Sequence, residues 1–216
     1  MSDERNAHGN SSPMTPDLLA ALAPGFGDPV HDTQAVFRTL LDALARPGTI
    51  GVIDTSLPAT DSSAARAGLA AFASLLALAD YATPVWLAQP DAALAAALRF
   101  HAGAPLATAP HEAAFAYVHD AAALPPLEAF ASGTPESPEL SATVFVRVDA
   151  LTGGAPLTLR GPGIESTCSI APVGLPERFW RERAALAPHF PCGIDFYLVC
   201  GDSLIGLPRT TLVEMH

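Results

Sequence analysis

Apolar and polar positions recur at helical spacing through much of the chain. After Asp32, for example, apolar residues fall every three or four positions until Arg46-Pro47-Gly48 interrupts the pattern. Two Ala-rich segments also favour helices: one is capped by Ser62 or Ser63, and the other begins at Pro90-Asp91. The predicted helices cover residues 16–23, 32–45, 63–80, 91–101 and 176–187.

Between these helices lie short runs rich in β-branched and aromatic residues, which predict strands. The predicted strands cover residues 49–53, 85–88, 113–119, 142–148, 157–160, 194–200 and 204–207. Gly153-Gly154 favours a hairpin of 142–148 with 157–160, and Gly201-Asp202 favours a second hairpin at 194–207. Helices alternate with strands first and hairpins dominate later, so we expect an α/β fold with a mixed β-sheet covered by helices.

Neither a repeat nor a clear linker divides the chain. The polar start, residues 1–14, predicts a disordered tail, and residues 15–216 predict a single α/β domain, which suits a chain of 216 residues. Three widely spaced cysteines provide no disulfide framework, so we expect a cytoplasmic protein. The longest apolar stretch, 67–79, is too short to cross a membrane.

Charged residues are scarce, at 15% of the chain, against roughly 25% in an ordinary soluble domain. Such a weakly protected surface favours a stable oligomer or complex. The formal net charge of -11 argues against nucleic acid as a partner, because binding to phosphate backbones needs clustered basic residues.

All 11 basic residues are arginines, so the chain contains no lysine. A pyridoxal-phosphate enzyme needs a lysine for its Schiff base, and a P-loop needs one to reach the terminal phosphates. Both chemistries are therefore excluded. The seven histidines show no ligand spacing typical of metal sites, so neither a metal nor a cofactor is expected.

The segment 189–211 concentrates the candidate polar residues. Cys192 and Cys200, if both lie in one strand, are about 26 Å apart and are expected to be buried structural residues. Asp195 stands inside an apolar run, where a carboxylate needs a partner or a raised pKa. An arginine partner that holds the fold is the favoured interpretation, with a catalytic base as the alternative. His189 is a further acid or base candidate if the bend at 191–193 brings it near.

Arg209, Thr210 and Thr211 follow Pro208 directly. A guanidinium fork and two hydroxyls form a candidate grip on a phosphate or phosphonate, with a polar strand edge as the alternative. The predicted ligand-binding residues are thus Arg209, Thr210, Thr211 and Asp195, and no catalytic residue is assigned.

Several longer stretches occur in an order that points to one family. They are DPVHDTQAVFRTLLDALARPGTI, LADYATPVWLA, LRFHAGAPLA, SGTPESPELSATVFVRV, LRGPGIE and HFPCGIDFYLVCGDSLIGLPRTTLVE. Together they resemble the PhnH family, the H subunit of bacterial carbon-phosphorus lyase, over residues 28–214. Asp195 matches the family's Gly-Ile-Asp, and Arg209, Thr210 and Thr211 match its Pro-Arg-Thr-Thr.

The resemblance implies a subunit of a complex for phosphonate catabolism. In such systems the G, H, I and L subunits make α-D-ribose 1-methylphosphonate 5-triphosphate from ATP and methylphosphonate, and a separate radical subunit breaks the carbon-phosphorus bond. The resemblance also implies a homodimer, partners among the G, I and J subunits, and a fold similar to pyridoxal-phosphate-dependent transferases without the cofactor.

Three roles remain open at this point. The leading interpretation is a structural or accessory subunit without the catalytic centre. One alternative is a self-sufficient small-molecule enzyme that uses Asp195, His189 and Arg209, and the other is a pure dimeric scaffold.

Overall fold

The computed structural model describes residues 22–55, 57 and 68–215. The tail predicted at 1–14, residues 16–21 of the helix predicted at 16–23, and the cap predicted at Ser62 or Ser63 lie outside these residues. The α-helices of the described part are α1 Pro29–Ala45, α2 Leu69–Leu78, α3 Ala92–Ala97 and α4 Glu177–Leu186.

Helix α1 begins three residues before its predicted start. The Asp28 side chain accepts a hydrogen bond from the His31 backbone N–H, and Pro29 occupies the first turn, where its missing N–H costs nothing. Helix α3 continues as a π-helical turn, Leu98–Ala102, which ends at Gly103 in the left-handed region. The end predicted near His101 is therefore confirmed.

The main sheet has six strands in the order β1-β8-β7-β4-β3-β2. Strands β2, β3, β4 and β7 are parallel to one another. Strand β8 is antiparallel to both of its neighbours, β7 and β1, which confirms the mixed sheet. A second, antiparallel sheet has the order β6-β5-β9. The strands are β1 Ile50–Val52, β2 Val85–Leu87, β3 Phe115–Val118, β4 Thr143–Arg147, β5 Leu157–Arg160, β6 Cys168–Ile170, β7 Asp195–Cys200, β8 Ser203–Leu207 and β9 Leu212–Met215.

The hairpin predicted between 142–148 and 157–160 is wrong. Strand β4 lies between β3 and β7, so both of its edges are already paired, and β5 instead pairs with β6 and β9. The continuous buried run Val144 to Val146 is typical of an inner parallel strand rather than a hairpin arm. The hairpin of β7 and β8 is confirmed.

Both faces of the main sheet are buried. Phe145 and Tyr197 stack with ring centroids 4.9 Å apart on the face that α1, α2 and α3 cover. On the opposite face Phe196 meets Phe179 of α4 edge to face, and the second sheet completes that layer. The Tyr197 hydroxyl also donates to the Leu40 carbonyl at 2.9 Å, which ties α1 to the sheet.

None of the helices in the described part of the chain is long and apolar enough to cross a membrane.

Candidate functional site

The structure pairs the two predicted site residues Asp195 and Arg209. Asp195 is the first residue of β7, and Arg209 lies in the turn between β8 and β9. The Arg209 backbone N–H donates to Oδ1 of Asp195 at 2.7 Å, and Nη2 donates to Oδ2 at 2.6 Å. The side chains are only 17% and 18% exposed, so water screens this ion pair weakly.

The other N–H groups of Arg209 bind Pro138, Ser141 and Pro191, and Asp195 again. Nη1 donates to the carbonyls of Pro138 at 2.9 Å and Pro191 at 3.3 Å, and Nη2 also donates to the Ser141 hydroxyl. Nε donates to both oxygens of Asp195 at 3.2 Å. A guanidinium has about five N–H donors. All of them are engaged, so the geometry makes Arg209 a clamp that joins its own turn to two other segments, residues 138–141 and 191–195.

Thr211 is fully buried, and its neighbour Thr210 is partly buried. The Thr211 hydroxyl has no hydrogen-bond partner within the described residues. Arg183 of α4 donates to the carbonyls of Thr211 and Pro208, each at 2.5 Å. Burial lowers the pKa of Arg183 to about 10, and the nearby charge of Asp195 opposes that shift. Two arginines thus fasten the turn that contains the predicted ligand grip.

His189 and the cysteines lie apart from this clamp. His189 is exposed and lines a separate cavity of about 390 Å³ with Glu128 and Glu182. Cys192 precedes β7, so it is not in one strand with Cys200 as expected. The Cys200 thiol donates to the Asp149 carbonyl at 3.5 Å. The structure therefore brings Asp195, Arg209 and Thr211 together without His189.

A second polar cluster lies at the opposite end of the parallel strands from Asp195, at their carboxyl ends, which we call the carboxyl edge of the main sheet. His119 follows β3, Arg147 ends β4, and Asp120 and Asp149 come shortly after them. Together with Gly174 they line a cleft of about 290 Å³. Sequence reasoning missed this cluster. Its signal is a set of polar residues just beyond strand ends, which converges once the strands are known to be parallel.

Polar contacts position His119 at the cleft. The His119 backbone N–H donates to Oε1 of Gln89 at 3.0 Å, and Nδ1 of His119 lies 3.0 Å from the Tyr117 hydroxyl. Burial raises the pKa of Tyr117, while the positive charge of Arg147 acts in the opposite direction. Contacts with Gln89 and Tyr117 thus hold His119 in place beside the cleft.

Gly174 sets the width of the cleft on one side. It has φ +104°, and a Cβ there would lie 2.8 Å from Oδ2 of Asp149. Any larger residue would strain the backbone and collide with that carboxylate. The wall thus stays close to Asp149 because the residue is glycine.

Comparisons with known proteins support the family resemblance that the sequence stretches indicate. The family profile "Bacterial phosphonate metabolism protein (PhnH)" matches residues 24–214. A protein of Rhizobium meliloti (strain 1021), named "Alpha-D-ribose 1-methylphosphonate 5-triphosphate synthase subunit PhnH", is 43% identical over 191 residues, which cover 88% of this chain and 94% of that protein.

A second relative, "Putative C-P lyase subunit protein HtxG" of Stutzerimonas stutzeri, is 39% identical over 83 residues, which cover 38% of this chain and 43% of that protein. The family match spans nearly all of the described fold, including both polar clusters. The chain belongs to the PhnH family of bacterial phosphonate metabolism proteins.

Proposed function

We propose that this chain is a subunit of a carbon-phosphorus lyase system. In it the chain is required, with the G, I and L subunits, for synthesis of α-D-ribose 1-methylphosphonate 5-triphosphate from ATP and methylphosphonate. The observation that carries the proposal is the 43% identity to a named subunit of that synthase across 88% of this chain. Identity over nearly the whole of both proteins supports a shared role, not only a shared fold.

We propose a structural or accessory role rather than the catalytic centre. The two charged residues of the predicted site, Asp195 and Arg209, bind each other. Every N–H of the Arg209 guanidinium has an acceptor within the chain. An arginine committed in this way positions the β8–β9 turn. Phosphonate binding by Arg209, Thr210, Thr211 and Asp195 stays a prediction, and it requires those hydrogen bonds to be exchanged for ligand contacts.

The partners in this proposal are the G, I and J subunits. Co-expression of the four chains, with an affinity tag on the I subunit, tests it. We expect this chain to elute with G, I and J at a fixed ratio after washing in moderate salt. A G–I–J assembly that forms without it, while this chain elutes alone, contradicts the proposal. The cytoplasmic location expected from the sequence stays part of the same proposal.

We also propose that the chain forms a homodimer through α1. Val30, Phe37 and Leu41 are 76%, 49% and 57% exposed, and their spacing of seven and four residues places them along one face of the helix. An apolar stripe of this kind on a weakly charged surface favours burial against a second copy.

The dimer is tested by the molar mass of the purified chain in solution. The double substitution F37E/L41E is expected to yield a monomer, because two carboxylates cannot be buried at a symmetric apolar contact. Y81E, which alters a residue that is 84% exposed on another surface, is the matched control and should remain dimeric. A wild-type chain that is monomeric at high concentration contradicts the proposal.

Similarity to pyridoxal-phosphate-dependent transferases belongs to the proposal as well. Its support is a largely parallel sheet between layers of helices, together with the lack of any lysine that could carry the cofactor. An experimental structure compared with those transferases tests it. A different order of the parallel strands would contradict it.

A further inference from the structure

We propose that the cleft at the carboxyl edge of the main sheet binds a small sugar-phosphate-like molecule. In this proposal Arg147 and His119 hold a phosphoryl or phosphonyl group, and Asp120 and Asp149 accept hydrogen bonds from hydroxyl groups. The cleft and the Asp195–Arg209 clamp are different sites, at opposite ends of the parallel strands.

The position of the cleft is the first argument. In open α/β sheets, ligands bind in crevices outside the carboxyl ends of the strands. Val118 pairs with Val146 in the β3–β4 register, so His119 and Arg147 are the next residues on adjacent strands. The topology therefore places an imidazole and a guanidinium side by side at the edge where ligands are expected.

Arg147 provides the guanidinium group in the lining of the cleft. Its side chain is exposed and forms no ion pair within the described part of the chain, although two carboxylates line the same cleft. Among the described arginines, Arg46, Arg160, Arg178, Arg181 and Arg209 have carboxylate partners, whereas Arg38, Arg99 and Arg183 have none either. What marks Arg147 is its place in the lining of the cleft. An arginine beside a cleft, with its fork uncommitted, suits bidentate recognition of a phosphate or phosphonate.

The carboxylates narrow the class of ligand. Asp120 and Asp149 would repel a bare anion, so the ligand must also offer donors to them. Sugar hydroxyls meet this requirement, and a phosphate or phosphonate on the same molecule meets the requirement of Arg147.

The volume sets the size of the ligand. At about 290 Å³ the cleft lies at the small end of ligand sites, which span roughly 300–1,000 Å³. A pentose phosphate suits this space, whereas a whole nucleoside triphosphate does not. Gly174 fixes the distance to Asp149, so the width is built into the backbone.

Calorimetric titration of the purified full-length chain tests the proposal, with ribose 5-phosphate, inorganic phosphate, methylphosphonate and ribose as separate probes. We expect ribose 5-phosphate to bind more tightly than each of the other three. Because a hydrogen bond to a charged group contributes about 1.5–3 kcal/mol, R147Q should weaken it by at least roughly 10-fold. D149N should weaken the binding of ribose 5-phosphate but leave the affinity for inorganic phosphate unchanged or higher.

R160Q is the matched control, since Arg160 is also an exposed arginine at the end of a strand but lies on the second sheet, beside Glu214. It should bind ribose 5-phosphate as the wild type does. Absence of binding by the wild type at millimolar concentration overturns the proposal, as does equal weakening by R147Q and R160Q. Equal affinity for ribose 5-phosphate and inorganic phosphate overturns the sugar-phosphate class. The test uses the isolated chain, so none of these failures bears on membership of the complex.

Discussion

Removing the guanidinium of Arg209 should destabilise the fold strongly. R209M keeps much of the aliphatic stem but leaves Asp195 without its ion partner at a site where both side chains are less than one-fifth exposed. Breaking a mostly buried pair by removing one partner costs about 3–5 kcal/mol. The carbonyls of Pro138 and Pro191 also lose their donor, so we expect the free energy of unfolding to fall within that range.

Urea denaturation followed by tryptophan fluorescence measures this loss. For a chain of this size the free energy of unfolding falls by about 3 kcal/mol per molar urea, so the midpoint should fall by roughly 1–1.7 M. R160M is the control, because its ion pair with Glu214 is half exposed on both sides. Exposed pairs contribute about 1 kcal/mol or less, so its midpoint should barely move.

The double variant R209M/D195N separates the buried charge from lost packing. Neutralising Asp195 removes the uncompensated carboxylate, so the double variant should recover part of the stability lost by R209M alone. A change of less than about 1 kcal/mol in R209M would refute the clamp. If that variant also lost phosphonate-dependent activity in the assembled complex, the ligand grip would be the better interpretation.

Two further substitutions probe the packing of α1 against the sheet. G206A should lower the free energy of unfolding by about 1–3 kcal/mol, since a Cβ there would lie 2.5 Å from the Ala43 carbonyl oxygen. G51A should cost less, because a Cβ there would meet only side-chain atoms, of Thr39 at 3.0 Å and of Leu204 at 3.4 Å. Urea midpoints that rank the other way would contradict this prediction. Burial raises the pKa of Tyr197, so its stabilisation is present below the unfolded value near 10.0 and is lost as pH rises above it. The free energy of unfolding measured from pH 9 to pH 11 should therefore fall less steeply in Y197F than in the wild type or in Y81F. Equal slopes would contradict the role of the buried Tyr197 hydroxyl.

Local patterns predicted the four α-helices of the described residues and the last hairpin well. The two apolar runs that became β7 and β8 flank Gly201-Asp202, and Gly201 adopts φ +62°, which glycine tolerates easily. The need of Asp195 for a cationic partner followed from a carboxylate inside an apolar run. The identity of that partner required the turn after β8, which returns Arg209 to the start of β7.

The second sheet could not be predicted from local patterns. Strand β6 has only three residues, and β9 is mostly exposed, so neither shows the alternation that marks a strand. Without them β5 had no evident partner except β4. Pairing across the chain, from Leu157 to Met215, decides the sheet instead.

The cleft at the carboxyl edge was missed for a similar reason. His119 and Arg147 are 28 positions apart by residue number, and nothing in their flanking residues forms a motif. They meet because β3 and β4 are parallel and in register. Pairing β4 with β5 in a hairpin would not place β4 beside β3. The wrong hairpin and the missed cluster therefore have one cause.

Reconstitution of the synthase tests the central claim most directly. ATP and methylphosphonate are incubated with the G, I and L subunits, with or without this chain, and the products are followed by phosphorus NMR. We expect α-D-ribose 1-methylphosphonate 5-triphosphate only when the chain is present, and little loss of product when R160M replaces the wild type. Full product formation without the chain would contradict its role as a required subunit.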